Sequence, residues 1–160
     1  MRLIIVSGLS GSGKTIALQA LEDLGFYCVD NLPASLLARF AEQAQPKGGG
    51  DLLKAAVGID ARNRAFLADV PRNLDRLREV GIPYRIVFLE AEESILVRRF
   101  QQTRRPHPMI DPSTSLLEAI SLEKQLLEPL SFAAALRIDQ RDQAIAAFEA
   151  YNDTSGEVYS

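Results

Sequence analysis

Residues 8–15 read GLSGSGKT and fill every fixed position of the G-x-x-x-x-G-K-[ST] phosphate-binding loop. Glycines allow such a loop to curl, so that successive backbone N–H groups can point at one phosphate. The ammonium group of Lys14 adds a charge for the β- and γ-phosphates, and the hydroxyl of Thr15 can join the coordination shell of Mg²⁺. The residues assigned to the ligand are Gly8, Leu9, Ser10, Gly11, Ser12, Gly13, Lys14 and Thr15, with Thr15 also the candidate metal ligand.

The segments on either side of this loop agree with the motif. Residues 3–6 form a short apolar run that is typical of a buried parallel strand. After the loop, apolar residues recur at helical spacing over residues 16–24, and Gly25 suits the end of that helix. The positive end of the helix dipole would face the same anion. Strand, loop and helix in this order predict that the chain binds a nucleoside triphosphate.

Beyond this helix, apolar strand-like runs alternate with amphipathic helical runs, which indicates a parallel sheet covered on both faces. The further strands are predicted over residues 26–29, 52–59, 84–89 and 133–138. We therefore predict an α/β fold of the P-loop NTPase type, similar to nucleotide kinases, with three α/β/α layers around about five parallel strands. One nucleotide-binding domain is expected over residues 1–151, followed by a disordered polar tail over residues 152–160.

Local sequence marks the starts of two of the predicted helices. Ser115 and Glu118 form a capping box, which is expected to open a helix that runs through Leu127. Pro71 either starts or kinks the helix around Leu74, because proline fits the first turn of a helix but disrupts its interior.

Composition favours one domain in a reducing compartment. With 160 residues, 47% of them hydrophobic, the chain can bury a core, and no segment approaches the ~20 apolar residues of a membrane-spanning helix. The first strand begins almost at Met1, which leaves no room for a signal peptide. The single cysteine, Cys28, excludes an internal disulfide framework and is expected in the core. We therefore expect a cytoplasmic protein without membrane contact.

Carboxylates follow four of the predicted strands, at Asp30, Asp60, Glu90 and Asp139. Ligands of open α/β sheets bind beyond the carboxyl ends of the strands. These side chains can therefore orient Mg²⁺ through water or position an attacking nucleophile. The alternative is that they cap helices and turns, which Asp and Asn favour whatever the function.

A basic segment covers residues 98–107 and begins on a predicted helix. In P-loop kinases a similar region folds over the nucleotide and presents arginines to the transferring phosphates. We assign that role to Arg104 and Arg105, whereas Arg98 and Arg99 are expected on the surface. The alternative for the segment is a solvated helix face that pairs with nearby Glu92, Glu93 or Asp111. His107 lies between two prolines, and we expect it to shape the loop and not to act as an acid or base. The candidate catalytic residues are Lys14, Asp30, Arg104 and Arg105.

The residues after the loop resemble one family over nearly the whole chain. Residues 21–33 read LEDLGFYCVDNLP and, together with the loop, closely resemble the amino-terminal domain of the RapZ/YvcJ family of P-loop nucleotide-binding proteins. The resemblance continues in residues 58–63 (GIDARN), 98–108 (RRFQQTRRPHP) and 126–130 (LLEPL). The runs YCVDN and TRRxHP make it far more specific than the loop motif alone.

This resemblance implies ATP on residues 8–15 and weak ATPase and GTPase activity. It also implies a guanine-nucleotide contact at Asp60, Ala61, Arg62 and Asn63. The carboxylate of Asp60 can accept two hydrogen bonds from a guanine edge, while Arg62 and Asn63 can equally contact phosphate or shape the turn. Because the RapZ branch acts as an RNase adapter, the resemblance further implies a nucleotide-dependent regulatory or adapter domain.

Family members continue into a second domain, which in RapZ carries small-phosphosugar sensing and RNA contacts and which these 160 residues do not include. The net charge of −3 also argues against a nucleic-acid surface, so we expect no tight RNA binding by this domain alone. A protein partner or self-association stays open. Glu90 stands where relatives commonly carry aspartate, which weakens a metal role there.

Two other functions compete with a slowly hydrolysing regulatory domain. The first is a small-molecule or nucleotide kinase in which Asp30 is the base and the arginine segment is a closing lid. The second is a binding module without significant turnover, in which nucleotide only stabilises the fold. All three use ATP or GTP and Mg²⁺, so the loop motif does not separate them.

Overall fold

A parallel sheet lies at the centre of the computed structural model, which describes residues 2–44, 54–62, 67–103 and 106–138. Within those ranges the sheet has five strands in the order β2-β3-β1-β4-β5. The strands are β1 (Arg2–Gly8), β2 (Tyr27–Val29), β3 (Lys54–Ile59), β4 (Tyr84–Leu89) and β5 (Leu136–Ile138). The predicted α/β fold with about five parallel strands is confirmed.

Helices connect the strands and cover both faces of the sheet. They are α1 (Lys14–Asp23), α2 (Leu37–Ala44) after a short 3₁₀ turn (Ala34–Leu36), α3 (Val70–Glu79), α4 (Glu93–Gln102), α5 (Leu116–Leu126) and α6 (Glu128–Phe132). None of these described helices is both long and apolar enough to cross a membrane.

Side chains of β1 alternate between the two faces, as the pleat of a strand requires. Ile4 and Val6 pack against α1, together with Leu21 of that helix. Leu3 and Ile5 lie in the larger cluster on the opposite face, which buries apolar residues of α2, α3, α5 and α6. The helices therefore form one layer on each side of the sheet, as predicted.

A third apolar cluster fastens α4 and α5 to the segment that leaves β1. It contains Leu9, Ala91, Leu96 of α4 and Ile120 of α5, all buried. Because Leu9 belongs to the glycine-rich loop, this cluster holds two helices against that loop.

Local expectations about the elements are met with two shifts. The capping box of Ser115 and Glu118 opens α5, and Pro71 lies in the first turn of α3 and starts the helix without a kink. The second strand begins at Tyr27 because the N–H of Phe26 still bonds the carbonyl of Leu21 at the end of α1. The fifth strand begins at 136 and not at 133, because α6 extends the preceding helical segment to 132.

Candidate functional site

The glycine-rich loop joins the end of β1, the central strand, to the start of α1. Gly13 caps the helix with φ 102°, a left-handed conformation that a residue with a side chain adopts only under strain. The N–H groups in the first turn of a helix have no partner within the helix. At Lys14 and Thr15 these donors are therefore available to an anion at the positive end of the α1 dipole.

A cavity of about 590 Å³ opens over this loop. Its wall combines loop residues, the ends of β2 and β3, the last turn of α4 and the segment beyond it. The lining residues are Gly8, Leu9, Ser10, Gly11, Gly13, Lys14, Thr15, Ile16, Asp30, Asp60, Arg62, Arg99, Phe100, Thr103, Pro106 and Pro108. A cavity of about 690 Å³ lies near Tyr84 at the amino end of β4, which is the end of a parallel sheet where ligands are not expected.

Two of the predicted carboxylates converge on Lys14. Asp30 follows β2 and Asp60 follows the neighbouring strand β3, so both side chains reach the same edge of the sheet. The Nζ of Lys14 forms an ion pair with Asp30 and lies 3.4 Å from Oδ2 of Asp60. The Asp30 side chain is 44% exposed and that of Asp60 only 7%, so Asp30 is the carboxylate open to a ligand.

Asp60 is held almost entirely by Arg62. The guanidinium donates to both carboxylate oxygens, with Nη2 2.6 Å from Oδ2, and the backbone N–H of Arg62 donates to Oδ1 at 2.9 Å. Burial raises the pKa of Asp60, but the hydrogen bonds from Arg62 and the charge of Lys14 outweigh it and hold the pKa below its usual value. The same contact raises the pKa of Arg62. Asp60 is therefore a carboxylate at neutral pH.

Gly58 of β3 makes room for the Lys14–Asp30 pair. A Cβ atom at this position would lie 2.5 Å from Oδ1 of Asp30 and 3.3 Å from Nζ of Lys14. The sequence predictions assigned no role to this residue. The available signal was a glycine inside an apolar strand, which often marks a close approach of another group.

Helix α4 contacts the outer turn of the loop through two residues. Arg99 donates a hydrogen bond to the carbonyl of Gly11, and the ring of Phe100 lies 3.4 Å from where a Cβ of Gly11 would be. The expectation that Arg99 is an ordinary surface residue is therefore wrong, whereas Arg98 is exposed as expected. Arg99 lies three residues after Leu96, which packs on Leu9, so both residues occupy the helix side that faces the loop.

A buried carboxylate that the sequence predictions missed contacts the same turn from α5. Glu123 is 0% exposed and receives the N–H and the hydroxyl of Ser10 at 2.7 and 2.5 Å. Nε2 of His107 lies 3.3 Å from the Glu123 carboxylate, and Nδ1 of His107 accepts the N–H of Met109 at 3.0 Å. The available signal was an acidic residue on the apolar stripe that Ile120 and Leu127 mark at helical spacing.

The remaining loop candidates shape the loop from inside. Leu9 is buried and donates its N–H to the carbonyl of Leu89, and the buried hydroxyl of Ser12 donates to the carbonyl of Leu9. Ala61 is also buried, directly after β3. Thr15 is exposed at the cavity wall, where its hydroxyl can reach a ligand.

Of the remaining predicted residues, Glu90 is described and lies apart from this group. Glu90 lines a separate cavity of about 380 Å³ together with Lys124 and Phe132. Asn63, Arg104, Arg105 and Asp139 lie outside the described residues, as do residues 152–160. Their assigned roles stay predictions.

Comparisons with known proteins identify the family to which the sequence is similar. The RapZ-like N-terminal domain family matches residues 1–149. The chain is 54% identical over 140 residues to a nucleotide-binding protein of Methylococcus capsulatus, and 54% identical over 141 residues to one of Marinobacter nauticus. Each alignment covers 87% of this chain and 48% of the relative. The chain thus spans about half the length of the curated relatives it matches.

Solved structures with the same fold include two shikimate kinases. The enzyme of Bacteroides thetaiotaomicron matches with a TM-score of 0.54 at 16% identity, over 94% of this chain and 98% of the enzyme. The enzyme of Acinetobacter baumannii, solved with shikimate, matches with a TM-score of 0.55 at 17% identity, over 95% and 93%. At this identity the likeness establishes the P-loop kinase fold alone.

Proposed function

The chain belongs to the RapZ-like N-terminal domain family, and from that premise we propose that it binds ATP and GTP with Mg²⁺ and hydrolyses them slowly. The nucleotide state would regulate contacts with a protein partner or a second copy of the chain. The resemblance also implies RNase adapter activity. We propose that activity for a protein of the relatives' full length, because this chain spans about half of that length.

The position of Lys14 carries the proposal. Its ammonium group lies near the amino terminus of α1 between two carboxylates, inside a cavity lined by the loop. Phosphate oxygens entering the loop would compete with Asp30 for Lys14, because Asp30 is the more exposed partner. Asp60 would keep its bonds to Arg62 throughout.

The residues around Lys14 fit a magnesium ion. The Thr15 hydroxyl and the Asp30 carboxylate both line the cavity, and oxygen donors are what Mg²⁺ prefers. The described part of the chain holds no cluster of three or more His, Cys, Asp or Glu suited to a metal, so nucleotide phosphates and retained waters would supply the other ligands. When bound, Mg²⁺ neutralises charge that develops on the phosphates.

The guanine contact at residues 60–63 remains part of the proposal, but the surroundings of Asp60 favour a role at the phosphate end. Both carboxylate oxygens already accept hydrogen bonds from Arg62, and Lys14 lies close to one of them. Replacing Asp60 with Ala and titrating ATP and GTP separates the two roles. If Asp60 acts near the phosphates, the variant should lose the same affinity for ATP and for GTP. If Asp60 recognises guanine, the variant should lose more affinity for GTP than for ATP.

We expect slow turnover because the loop supplies nucleotide binding but no group that positions the attacking water. Efficient hydrolysis needs an oriented water and a cation on the γ-phosphate, and a supplied arginine accelerates the reaction by about 10³-fold or more. Arg104 and Arg105 are the proposed cations, and Arg105→Ala should reduce turnover more than affinity. Wild-type turnover above roughly 10 s⁻¹, an ordinary enzyme rate, would contradict slow hydrolysis.

Calorimetric titration of ATP and GTP with Mg²⁺ tests nucleotide binding. Lys14→Ala should weaken both by roughly ten-fold or more, since hydrogen bonds from a charged group are lost. Lys124→Ala is the matched control, because Lys124 is half exposed and pairs only weakly, at 4.0 Å, with Glu93. Equal affinity of folded Lys14→Ala and wild type would overturn the proposal.

A kinase is the second candidate, and the exposure of Asp30 beside Lys14 is the observation that favours it. A carboxylate in that position can accept the proton of an acceptor hydroxyl next to the γ-phosphate. ADP formation and phosphate release, measured together with and without small polyhydroxy acceptors, separate the candidates, because hydrolysis yields both products whereas transfer to an acceptor yields ADP without free phosphate. Acceptor-dependent consumption of ATP that Asp30→Asn abolishes would favour the kinase over the regulatory domain.

A further inference from the structure

Three side chains from distant parts of the chain meet beneath the outer turn of the phosphate loop. Ser10 belongs to the loop, Glu123 to α5, and His107 to the segment between α4 and α5. Glu123 contacts both Ser10 and His107. Glu123 and His107 are 0% and 2% exposed, so the contact between these two side chains is closed to solvent. We refer to these three residues as the Ser10 clasp.

Donors and acceptors alternate in the clasp. Nδ1 of His107 accepts the N–H of Met109, so Nε2 is the ring nitrogen that can donate to Glu123. The Glu123 carboxylate also accepts both donors of Ser10, the backbone N–H and the hydroxyl. A buried carboxylate is tolerated when such donors satisfy it, and here two of the three belong to the loop.

This arrangement fixes the peptide plane at Ser10. The N–H of Ser10 points at Glu123, while Leu9 is anchored in the core on one side and Gly11 is bonded to Arg99 on the other. A glycine-rich loop has many conformations to lose when it closes on a ligand. A loop that is already held in its binding form loses fewer of them and binds more tightly.

The clasp also joins the loop to the opposite wall of the cavity. Pro106 and Pro108 line that wall on either side of His107, whose ring lies 4.9 Å from the ring of Phe100. Through His107, the bond to Glu123 therefore sets the distance between the loop and this wall.

We propose that Glu123 and His107 are positioning residues for nucleotide binding, which hold the loop at Ser10 in the form that accepts phosphates. This inference rests on the proposed nucleotide binding. It differs from a purely structural role, because loss of a structural contact lowers the unfolding temperature without changing the affinity of the molecules that remain folded.

The test compares ATP affinity with thermal stability in four variants. Glu123→Gln keeps the shape but turns an amide group toward one of the donors, and should weaken Mg²⁺–ATP binding by roughly ten-fold. Ser10→Ala removes only the hydroxyl of a half-buried residue and should weaken binding by roughly three-fold. The double variant should bind no more weakly than Glu123→Gln, because both changes act on the same bond.

Glu118→Ala is the fourth variant and the matched control on the same helix. It removes the capping box of α5, whose hydrogen bonds join Ser115 and Glu118 and do not involve the loop, and should lower the unfolding temperature while leaving ATP affinity unchanged. Affinity is measured by calorimetry well below every unfolding temperature, so that only folded protein is compared.

Each outcome decides the proposal. If Ser10→Ala and Glu123→Gln fold and keep the wild-type ATP affinity, the role of the clasp is overturned while the proposed nucleotide binding stands. The same follows if the double variant loses as much binding free energy as the two single variants added together. If Glu123→Gln does not fold, Ser10→Ala decides, and an unchanged affinity there overturns the proposal. A wild-type chain that binds neither ATP nor GTP would overturn the proposed function and this inference together.

Discussion

Lys14 and Asp30 form an ion pair directly beside Gly58, a position at which a side chain would collide with the Asp30 carboxylate. The pair joins the phosphate loop to the end of β2 across the face of β3. Asp30 therefore competes with a phosphate for the ammonium group that the loop motif provides. The pair and its close approach to Gly58 lead to one prediction for Asp30 and one for Gly58.

Asp30→Asn should strengthen nucleotide binding measured without Mg²⁺, where only the competition for Lys14 acts, and should slow turnover measured with Mg²⁺. Removing the charge frees Lys14 for phosphate, and because the pair is partly exposed the gain should be at most about five-fold. Turnover should fall if Asp30 helps to orient the attacking group. Calorimetry and phosphate release measure the two effects, and a variant that binds more weakly would contradict the competition.

Gly58→Ala should cost about 1–3 kcal/mol of stability, the usual range for an extra methyl group in a packed site. The new Cβ would lie 2.5 Å from Oδ1 of Asp30, so the carboxylate must move. The double variant with Asp30→Ala removes the collision and should recover most of the lost stability. Denaturant unfolding of all three variants checks this, and an undiminished stability of Gly58→Ala would refute it.

Asp60 should contribute stability that is lost in acid. Its folded pKa lies below the usual value because Arg62 and Lys14 favour the carboxylate. The contribution is therefore complete above the pKa of the unfolded chain and decreases as the pH falls from about 5 toward the lower folded pKa. Asp60→Asn should flatten this part of the stability curve. Thermal unfolding at pH 7, 4 and 3 measures it, and identical slopes for variant and wild type would exclude the linkage.

Arg99→Ala should weaken triphosphate binding by a few-fold, because the loop loses the bond that holds the Gly11 carbonyl. Arg98→Ala is the matched control, since it removes the same charge from an exposed position one residue away. Nucleotide titration compares the two variants. Equal losses in both would assign the effect to overall charge instead of to the contact with the loop.

Much of the fold was predictable because each signal was local. The phosphate loop, the strand before it and the helix after it follow from glycines and apolar spacing within 25 residues. The convergence of Asp30 and Asp60 was predictable in outline, since parallel strands end at the same sheet edge. Their partners were not predictable. Lys14 pairs with Asp30 and Arg62 pairs with Asp60, and this choice of partners depends on side-chain packing and not on spacing in the sequence.

The sequence by itself determined the phosphate loop, the alternation of strands and helices and the carboxylates that follow the strands, since these depend on patterns among residues that are near one another in the chain. Only the tertiary structure decided how that loop is held. Glu123 and Ser10 lie 113 residues apart, and Arg99 and Gly11 lie 88 apart. The packing of α4 and α5 against Leu9 brings both pairs together. No local pattern encodes such contacts, because they exist only once the apolar faces of the helices have been buried against the sheet.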